Sequence, residues 1–258
     1  MVSLFVYYTV KMKLSNLIRV NELAKEYFVS CLQKNKTAKD YAINRLNSKV
    51  INKYKIGYAP KSGLLKYLEK NNVQLSHIST VGLVGTNDGN MYEFFRKRIM
   101  IPIYSAGLVV SFGGRDITGR ARSKYLNTRD TPLYTKSTTL YGLYPHAKYI
   151  DRVGYGILVE GYFDVLACVQ AGIKNVFSTC GTSLTKNQAE VIKLFTDTVY
   201  IVYDGDTAGK ESAVKAKRIL KKAAIAPKII TLKNGLDPDE YIKTYGKKKF
   251  LKNLERQN

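Results

Sequence analysis

Tyr203-Asp204-Gly205-Asp206 is the stretch around which the rest of the chain is organised. It follows a short apolar run, residues 199–202, whose β-branched and aromatic side chains predict a buried strand. A helical pattern begins just after it, near Thr207. Two carboxylates therefore stand two residues apart where a strand ends, and Gly205 between them leaves room for a tight turn. Taken alone, the tripeptide is also consistent with a solvated turn.

A second acidic segment repeats this arrangement. The apolar run 156–159 ends in Glu160, and Asp164 lies four residues further on, while Asp237 and Asp239 follow another strand-like run. Parallel strands bring their carboxyl ends to one edge of a sheet, where open α/β sheets bind ligands. Carboxylates crowded together repel one another unless a cation is bound, and oxygen ligands suit Mg²⁺. We therefore predict a divalent-metal site formed by these acids.

The composition points to a polyanionic partner. The 258 residues include 42 Lys and Arg against 20 Asp and Glu, a net charge of +22. Such an excess favours nucleic acid first and an anionic membrane second, although AT-rich codon usage also enriches lysine. No run approaches the roughly 20 apolar residues of a membrane-spanning helix, so no membrane partner is expected. Cys31, Cys168 and Cys180 lack zinc-ligand spacing, so we expect buried thiols and no zinc.

The first half of the chain predicts a mixture of helices and strands. Residues 1–10 are apolar and aromatic, which is consistent with an edge strand or with an extension ahead of Met12. Ser62 is the expected cap of a helix over 64–70. The hydrophobic spacing further predicts helices over 14–34, 40–45 and 48–54 and strands over 99–103 and 108–112.

A dense basic series runs through residues 96–136, with Tyr125, Asn127 and Tyr134 interleaved. Basic side chains bind phosphates and aromatic faces stack on bases, so the series favours a cleft for a single strand or a nucleotide. A solvated loop is the alternative. The members are Arg96, Lys97, Arg98, Arg115, Arg120, Arg122, Lys124, Arg129 and Lys136.

The second half alternates strand and helix patterns. Such alternation predicts a parallel sheet with right-handed crossovers. Thr185 and Gln188 have the spacing of a capping box. His146 is expected to be structural, and residues 247–249 a solvated helix face. The predicted strands span 156–159, 173–178, 199–203 and 228–232, and the predicted helices span 162–171, 186–195 and 207–222.

These residues carry a resemblance to one family. The segments 159–165, 181–183 and 203–209 resemble the Toprim domain of bacterial, DnaG-type DNA primases, and 236–241 resembles its last acidic element. Upstream, the segments 54–60, 95–103, 112–115, 124–127 and 140–143 are similar to the primase core. The resemblance covers residues 14–245. It implies an α/β fold, a Toprim parallel sheet flanked by helices and preceded by an α+β basic subdomain.

The resemblance also implies domains and roles. The domains would be a basic subdomain (1–152), a Toprim catalytic domain (153–245) and a short basic tail (246–258). Glu160 would be the catalytic acid and a metal ligand, with Asp204 and Asp206 as further catalytic metal ligands. Mg²⁺ or Mn²⁺ would be the cofactor. Asp164, Asp237 and Asp239 would complete the metal cluster, and Arg98, Arg115, Lys124, Asn127 and Lys136 would bind template and nucleotide.

The function that this resemblance implies is synthesis of short RNA primers on single-stranded DNA from NTPs, by two-metal nucleotidyl transfer in the cytoplasm of a bacterium or phage-infected cell. Full-length primases of this type also carry a zinc-binding and a helicase-binding domain. A separately encoded zinc-binding or docking protein and a replicative helicase are therefore expected partners; otherwise the activity is reduced. The alternatives are a Toprim nuclease, against which the upstream motifs argue, and a non-catalytic single-stranded DNA-binding accessory, against which the six acids argue.

Overall fold

The computed structural model describes the backbone of residues 2–256 and, apart from residues 2–12 and 234, their side chains. The chain forms two compact units, residues 1–135 and 136–258. None of the described helices has the length and hydropathy needed to cross a membrane.

The first unit packs helices against an antiparallel sheet. Its elements are α1 (Val2–Lys34), α2 (Lys36–Arg45), α3 (Ser48–Lys53), β1 (Gly57–Ala59), α4 (Leu64–Lys70), α5 (Leu75–Thr80), β2 (Val84–Asn87), β3 (Asn90–Glu93), β4 (Arg98–Ser105), β5 (Leu108–Asp116) and β6 (Tyr125–Asn127). The sheet has the order β1-β4-β5-β6, and β2 and β3 form a separate hairpin.

One face of α1 forms the core of this unit together with the sheet. Ala24 and Phe28 are buried, and the Phe28 ring meets Phe112 of β5 edge-on with ring centroids 5.4 Å apart. A Cβ at Gly57 would lie 2.5 Å from the Phe28 Cβ, so glycine lets β1 approach α1 closely. The apolar side chains whose spacing predicted the helix are therefore the ones that pack against the sheet.

Two local predictions in this unit were wrong. The N-terminal segment is not an edge strand, because α1 is continuous from Val2, and a helix satisfies its backbone hydrogen bonds without a partner strand. Ser62 does not cap α4. The N-cap is Gly63, with a left-handed φ of 119°, and Glu93 accepts the backbone N–H groups of Gly63 and Leu65 at 2.7 and 3.1 Å. A carboxylate distant in sequence thus supplies the cap.

The second unit is an α/β layer. Its elements are β7 (Leu140–Tyr141), α6 (Leu143–Val153), β8 (Gly156–Val159), α7 (Tyr162–Gln170), β9 (Val176–Thr179), α8 (Lys186–Lys193), β10 (Thr198–Ile201), α9 (Thr207–Lys222), β11 (Ala226–Ile229), a 3-10 turn (Lys233–Gly235) and α10 (Pro238–Arg256). The sheet has the order β11-β10-β8-β9-β7. The first four strands of that order are parallel, which confirms the predicted parallel sheet, and β7 adds an antiparallel edge.

Residues 136–152, which we predicted to belong to the basic subdomain, pack within the second unit. Leu140 of β7 pairs with Thr179 of β9. His146 of α6 is buried, and its Nδ1 lies 2.6 Å from the Val176 carbonyl oxygen, so its structural role is confirmed. The compact units therefore divide at 135/136 rather than 152/153, and the functional domain boundaries stay a prediction.

Candidate active site

Two acids meet at the carboxyl edge of the parallel sheet. β8 and β10 are neighbours, with Leu158 opposite Ile201, so the segments that follow them run side by side. Glu160 and Asp204 lie in those segments, and the Asp204 N–H donates to Glu160 Oε1 at 3.0 Å. The structure therefore brings together the two acids that the strand pattern predicted to share one edge.

Asp164 lies in the first turn of α7, the helix that follows Glu160. Its Oδ2 accepts the Gly161 N–H at 2.9 Å, which orders the turn between β8 and α7. Burial raises the pKa of Asp164 well above its ordinary value, and the charges of Asp237 and Asp204 raise it further. Asp164 is therefore a partly buried carboxyl whose pKa responds to the charges of both Asp204 and Asp237.

A close approach of two glycines brings together the segments that carry two acidic pairs, Asp204/Asp206 and Asp237/Asp239. A Cβ at Gly205 would lie 2.3 Å from the Gly235 Cα, so the loop after β10 and the 3-10 turn touch through their backbones. The φ of Gly205 is not positive, and glycine is needed here for this approach rather than for the turn itself. Asp206 Oδ1 accepts the Gly209 N–H at 2.7 Å and caps α9. Asp237 Oδ1 accepts the Glu240 N–H at 2.7 Å at the start of α10.

The second acidic pair reaches the cluster by a route that we did not predict. β11 ends at Ile229, so Asp237 and Asp239 do not follow the strand directly but come after the 3-10 turn. Asp239 is buried, and its Oδ2 accepts from Lys243 Nζ at 2.9 Å. The predicted acids thus lie in one region, although the reason that we gave for this pair was wrong.

The acids perturb one another electrostatically. The pKa of Asp204 is raised from 3.8 to about 6, first by burial and then by Glu160, Asp237 and Asp206. Burial also raises the pKa of Glu160, with further increases from Asp206 and Asp237. Glu240, which we did not predict as a site residue, adds to the effect on Asp204. The site therefore concentrates negative charge, as catalytic sites that bind cations do.

A divalent cation fits the chemistry of this donor set. The donors are carboxylate oxygens, which Mg²⁺ and Mn²⁺ prefer, and Asp204 Oδ1 is buried without a hydrogen-bond partner in the described part of the chain. Among the described residues, however, no three Asp, Glu, His or Cys side chains converge as a ready coordination sphere. The set therefore fits a metal by its chemistry and charge.

The predicted template- and nucleotide-binding residues fall on both units. Arg115, Tyr125 and Asn127 share one face of the sheet, because Arg115 pairs with Tyr125 and the partner of Asn127 is two residues earlier on β5. The Arg115 guanidinium lies 4.8 Å from the centre of the Tyr125 ring and donates to its hydroxyl at 2.8 Å. Lys124, next to Tyr125, is exposed, and Lys136 belongs to the second unit.

Arg98 differs from the others because it is buried. Its Nη2 donates to the Ser123 carbonyl at 3.0 Å, and its Nη1 donates to the carbonyls of Gly114 and Lys124 at 3.2 and 3.3 Å. Burial lowers the pKa of this guanidinium. Arg98 thus holds the segment that carries Lys124, and its contact with a ligand stays a prediction.

Gln188 was recognised only as a cap residue. The predicted capping box is confirmed, because Thr185 Oγ1 accepts the Gln188 N–H at 3.0 Å and Gln188 Oε1 accepts the Thr185 N–H at 3.1 Å. The fully buried Gln188 also donates from Nε2 to the carbonyls of Lys136 and Thr139 at 3.0 and 2.9 Å. Its polar side chain on an otherwise apolar helix face was the signal that could have identified this role.

Two family models together cover most of the chain. Residues 27–147 match the DNA primase catalytic core, N-terminal domain, and residues 157–242 match a Toprim-like domain. The first match contains the basic series up to Lys136, and the second contains all six predicted acids.

Similar proteins and structures agree with these matches. The DNA primase of Aquifex aeolicus is 39% identical over 228 residues, which cover 87% of this chain, and that of Clostridium acetobutylicum is 35% identical over 250 residues, which cover 95%. The chain spans 46% and 41% of the length of these relatives. The structure of the zinc-binding and RNA polymerase domains of the Aquifex aeolicus primase is 36% identical, with a TM-score of 0.90, and the alignment covers 95% of this chain and 61% of that one.

One solved structure matches this chain over most of both chains and shows the family. The structure of the DnaG primase catalytic domain bound to ssDNA is 30% identical, with a TM-score of 0.86. The alignment covers 95% of this chain and 80% of that one, so the likeness extends over both units. This chain therefore belongs to the DnaG-type DNA primases, as a catalytic core with a Toprim domain.

Proposed function

We propose that this chain synthesises short RNA primers on single-stranded DNA by metal-assisted nucleotidyl transfer. The observation that carries the proposal is the acidic cluster at the carboxyl edge of the parallel sheet. There the backbone N–H of Asp204 donates to the Glu160 carboxylate, and Asp237 is close enough to raise the pKa of both acids. A protein that only bound nucleic acid would gain nothing from turning this charge toward phosphates. A catalyst that binds cations there needs it.

Each acid has a proposed role. Glu160 is held at Oε1 by the Asp204 N–H, which orients its carboxylate as a metal ligand and as the proton acceptor for the attacking 3′-hydroxyl. Asp204 and Asp206 are proposed as further ligands. When bound, Mg²⁺ or Mn²⁺ supplies the positive charge that neutralises the attacking and leaving oxygens. Asp164, Asp237 and Asp239 complete the cluster and set its charge.

The basic residues are proposed to hold the template and the incoming NTP. Arg115, with Tyr125 stacked on it and Asn127 on the same sheet face, offers a cation, a ring and an amide together. Lys124 supplies exposed positive charge, and Lys136 supplies partly exposed positive charge. For Arg98 we propose an indirect contribution, since its guanidinium is occupied by the carbonyls that position Lys124.

The proposed partners follow from the relatives. One structurally similar catalytic domain was solved bound to ssDNA, which supports single-stranded DNA as the template. We further propose a replicative helicase and a separately encoded zinc-binding or docking protein as partners; the similar structure of the Aquifex aeolicus primase includes a zinc-binding domain. We also propose that the chain acts in the cytoplasm of a bacterium or of a phage-infected cell; its relatives are bacterial DNA primases.

The test is primer synthesis by Glu160→Gln on single-stranded DNA with NTPs and Mg²⁺ or Mn²⁺. We expect synthesis to fall by about 100-fold or more, since a positioned proton acceptor alone contributes about that factor. The unfolding midpoint and DNA affinity should stay close to those of the unmodified chain. Glu190→Gln, an exposed residue of α8, is the matched control.

Two outcomes would overturn the assignment. Normal synthesis by Glu160→Gln would remove Glu160 from the chemistry. Cleavage of labelled DNA without NTPs, lost in Glu160→Gln, would show that the same acids serve a nuclease instead. Including the NTP-free reaction in every experiment separates these two results.

A further inference from the structure

The outer face of α9 carries charge that the proposed chemistry does not use. Gly209, Ala213, Ala216 and Leu220 form its buried face. The opposite side bears six cations and one acid, Glu211, and within the described part of the chain none of the six forms an ion pair. The cations are Lys210, Lys215, Lys217, Arg218, Lys221 and Lys222, all exposed except for the partly exposed Lys217.

The cations form a stripe of two rows, Lys210, Lys217 and Lys221 in one and Lys215, Arg218 and Lys222 in the other, and Glu211 is the single acid within it. Lys217 and Lys221 are four residues apart, as are Arg218 and Lys222, and like charges at that spacing destabilise an isolated helix. A solvated helix face ordinarily alternates signs, so that such pairs attract one another. The stripe is therefore suited to an external polyanion, which would remove the repulsion.

The stripe begins at the acidic cluster. Asp206 is the N-cap of α9, and Lys210 N–H donates to the Asp206 carbonyl at 3.1 Å, so the first cation stands one turn from the acids. A Cβ at Gly209 would lie 2.8 Å from Glu160 Oε1, which shows how closely the first turn packs against the site. From there the 16 residues of α9 extend for about 24 Å.

We propose that the outer face of α9 binds the phosphate backbone of a nucleic-acid duplex that lies against the acidic cluster. The six cations span about 18 Å from Lys210 to Lys222, about one per 3.6 Å, which is close to the spacing of roughly 3.4 Å between phosphates along one strand of a duplex. Sites for single strands also use aromatic side chains on which bases stack, and α9 contains no aromatic residue. We identify this duplex as the RNA–DNA hybrid that primer synthesis makes, and this identification rests on the proposed function.

The experiment measures binding without NTPs or metal, so its result is separate from that for primer synthesis. Fluorescence anisotropy would follow the full chain with a hybrid of about 12 base pairs of RNA and DNA, and with the DNA strand alone, across a salt series. In Lys215→Gln/Arg218→Gln/Lys222→Gln, we expect the hybrid affinity to fall about 10-fold or more near 0.1 M salt. The salt slope should decrease by about 0.9 for each phosphate that the variant no longer neutralises.

The matched control removes the same charge from another helix of the unit. Lys248→Gln/Lys249→Gln/Lys252→Gln changes exposed residues of α10, and its hybrid affinity and slope should stay close to those of the unmodified chain. Equal losses in both triple variants would mean that only net charge matters and would overturn the proposal. An unchanged slope in the α9 variant would overturn it as well, and an equal loss for the single strand would refute the choice of a duplex.

Discussion

Gln188→Glu is the substitution that tests the packing of the second unit most sharply. Gln188 is fully buried, and Nε2 donates to the carbonyls of Lys136 and Thr139 while Oε1 accepts from Thr185. Glutamate has the same shape, but it replaces the double donor with an oxygen. At neutral pH, the carbonyls of Lys136 and Thr139 lose the Nε2 donor and face a buried carboxylate, and Thr139 keeps the weak donor Cys180 Sγ at 3.7 Å.

The magnitude follows from the two lost donor bonds and the introduced charge. Leaving a buried polar group unsatisfied costs about 1–3 kcal/mol, and two carbonyls are affected together with one uncompensated charge. We expect the free energy of unfolding to fall by about 3–5 kcal/mol at pH 7, a large part of the roughly 5–15 kcal/mol that is typical of a domain. Segment 136–139 should loosen first, because Gln188 and Thr185 hold its carbonyls.

The pH dependence has a definite sign. Burial raises the pKa of the introduced carboxyl in the folded state above its unfolded value of about 4.3. The full loss of stability therefore applies above the folded-state pKa, and stability returns as the pH falls through that value toward about 4.3, where a protonated Glu can donate to one carbonyl. Urea unfolding at pH 7 and pH 5 measures this difference.

Asn187→Asp is the matched control, since it makes the same change from amide to acid on an exposed neighbour in α8. It should change the unfolding free energy by less than about 0.5 kcal/mol. If Gln188→Glu destabilises the chain no more than Asn187→Asp at pH 7, the hydrogen bonds of Gln188 do not hold segment 136–139. The reasoning from its burial would then be refuted.

Three further predictions concern both units. Gly205→Ala should lower primer synthesis about 10-fold or more and destabilise the chain, because the alanine Cβ would overlap Gly235. A synthesis assay and a urea melt measure the two effects. A variant that is as active and as stable as the unmodified chain would contradict the close approach of the two loops. In chelator above pH 6, Asp204→Asn should raise the melting temperature by a few degrees relative to the control Glu211→Gln. The pKa of Asp204 is raised from 3.8 to about 6, which corresponds to a destabilisation of at most about 3 kcal/mol by the ionised carboxylate. Because Asp204 is half-buried, solvent screening reduces this figure to about 1–2 kcal/mol. That advantage should shrink as the pH falls toward 3.8, where the carboxyl becomes protonated in both states, and a flat pH profile would argue against repulsion. Arg98→Ala should destabilise the first unit by about 2–4 kcal/mol in a urea melt, whereas a DNA-affinity loss at unchanged stability would make Arg98 a direct ligand contact.

The elements whose patterns are local were predictable from the sequence. The runs 156–159 and 199–203 predicted two strands of one parallel sheet, and the helical pattern over 207–222 predicted α9. The capping box of α8 was also readable, since it depends on residues three apart. In each case a short period or a fixed spacing reports on one element and its burial.

Contacts between distant residues were not readable. Glu93 caps α4, Arg98 binds the carbonyls of Ser123 and Lys124, and Gln188 holds segment 136–139, and each of these joins positions far apart in the sequence. A single sequence shows a buried polar residue only as an exception within an apolar face. It does not show which backbone groups satisfy that residue, because the partners come from chain segments that only folding brings together.

The second acidic pair shows what this means for the site. The sequence suggested that Asp237 and Asp239 would arrive at the end of a strand, but β11 ends at Ile229 and the chain continues through the 3-10 turn. What brings the pair to Asp204 is the backbone contact between Gly205 and Gly235, which tolerates no Cβ on Gly205. The charge of the cluster is therefore assembled by two residues without side chains. Gly205 therefore supports the proposed metal site as the acids on either side of it do, because moving the loops apart would separate Asp204 from Asp237, whose charge raises the pKa of Asp204.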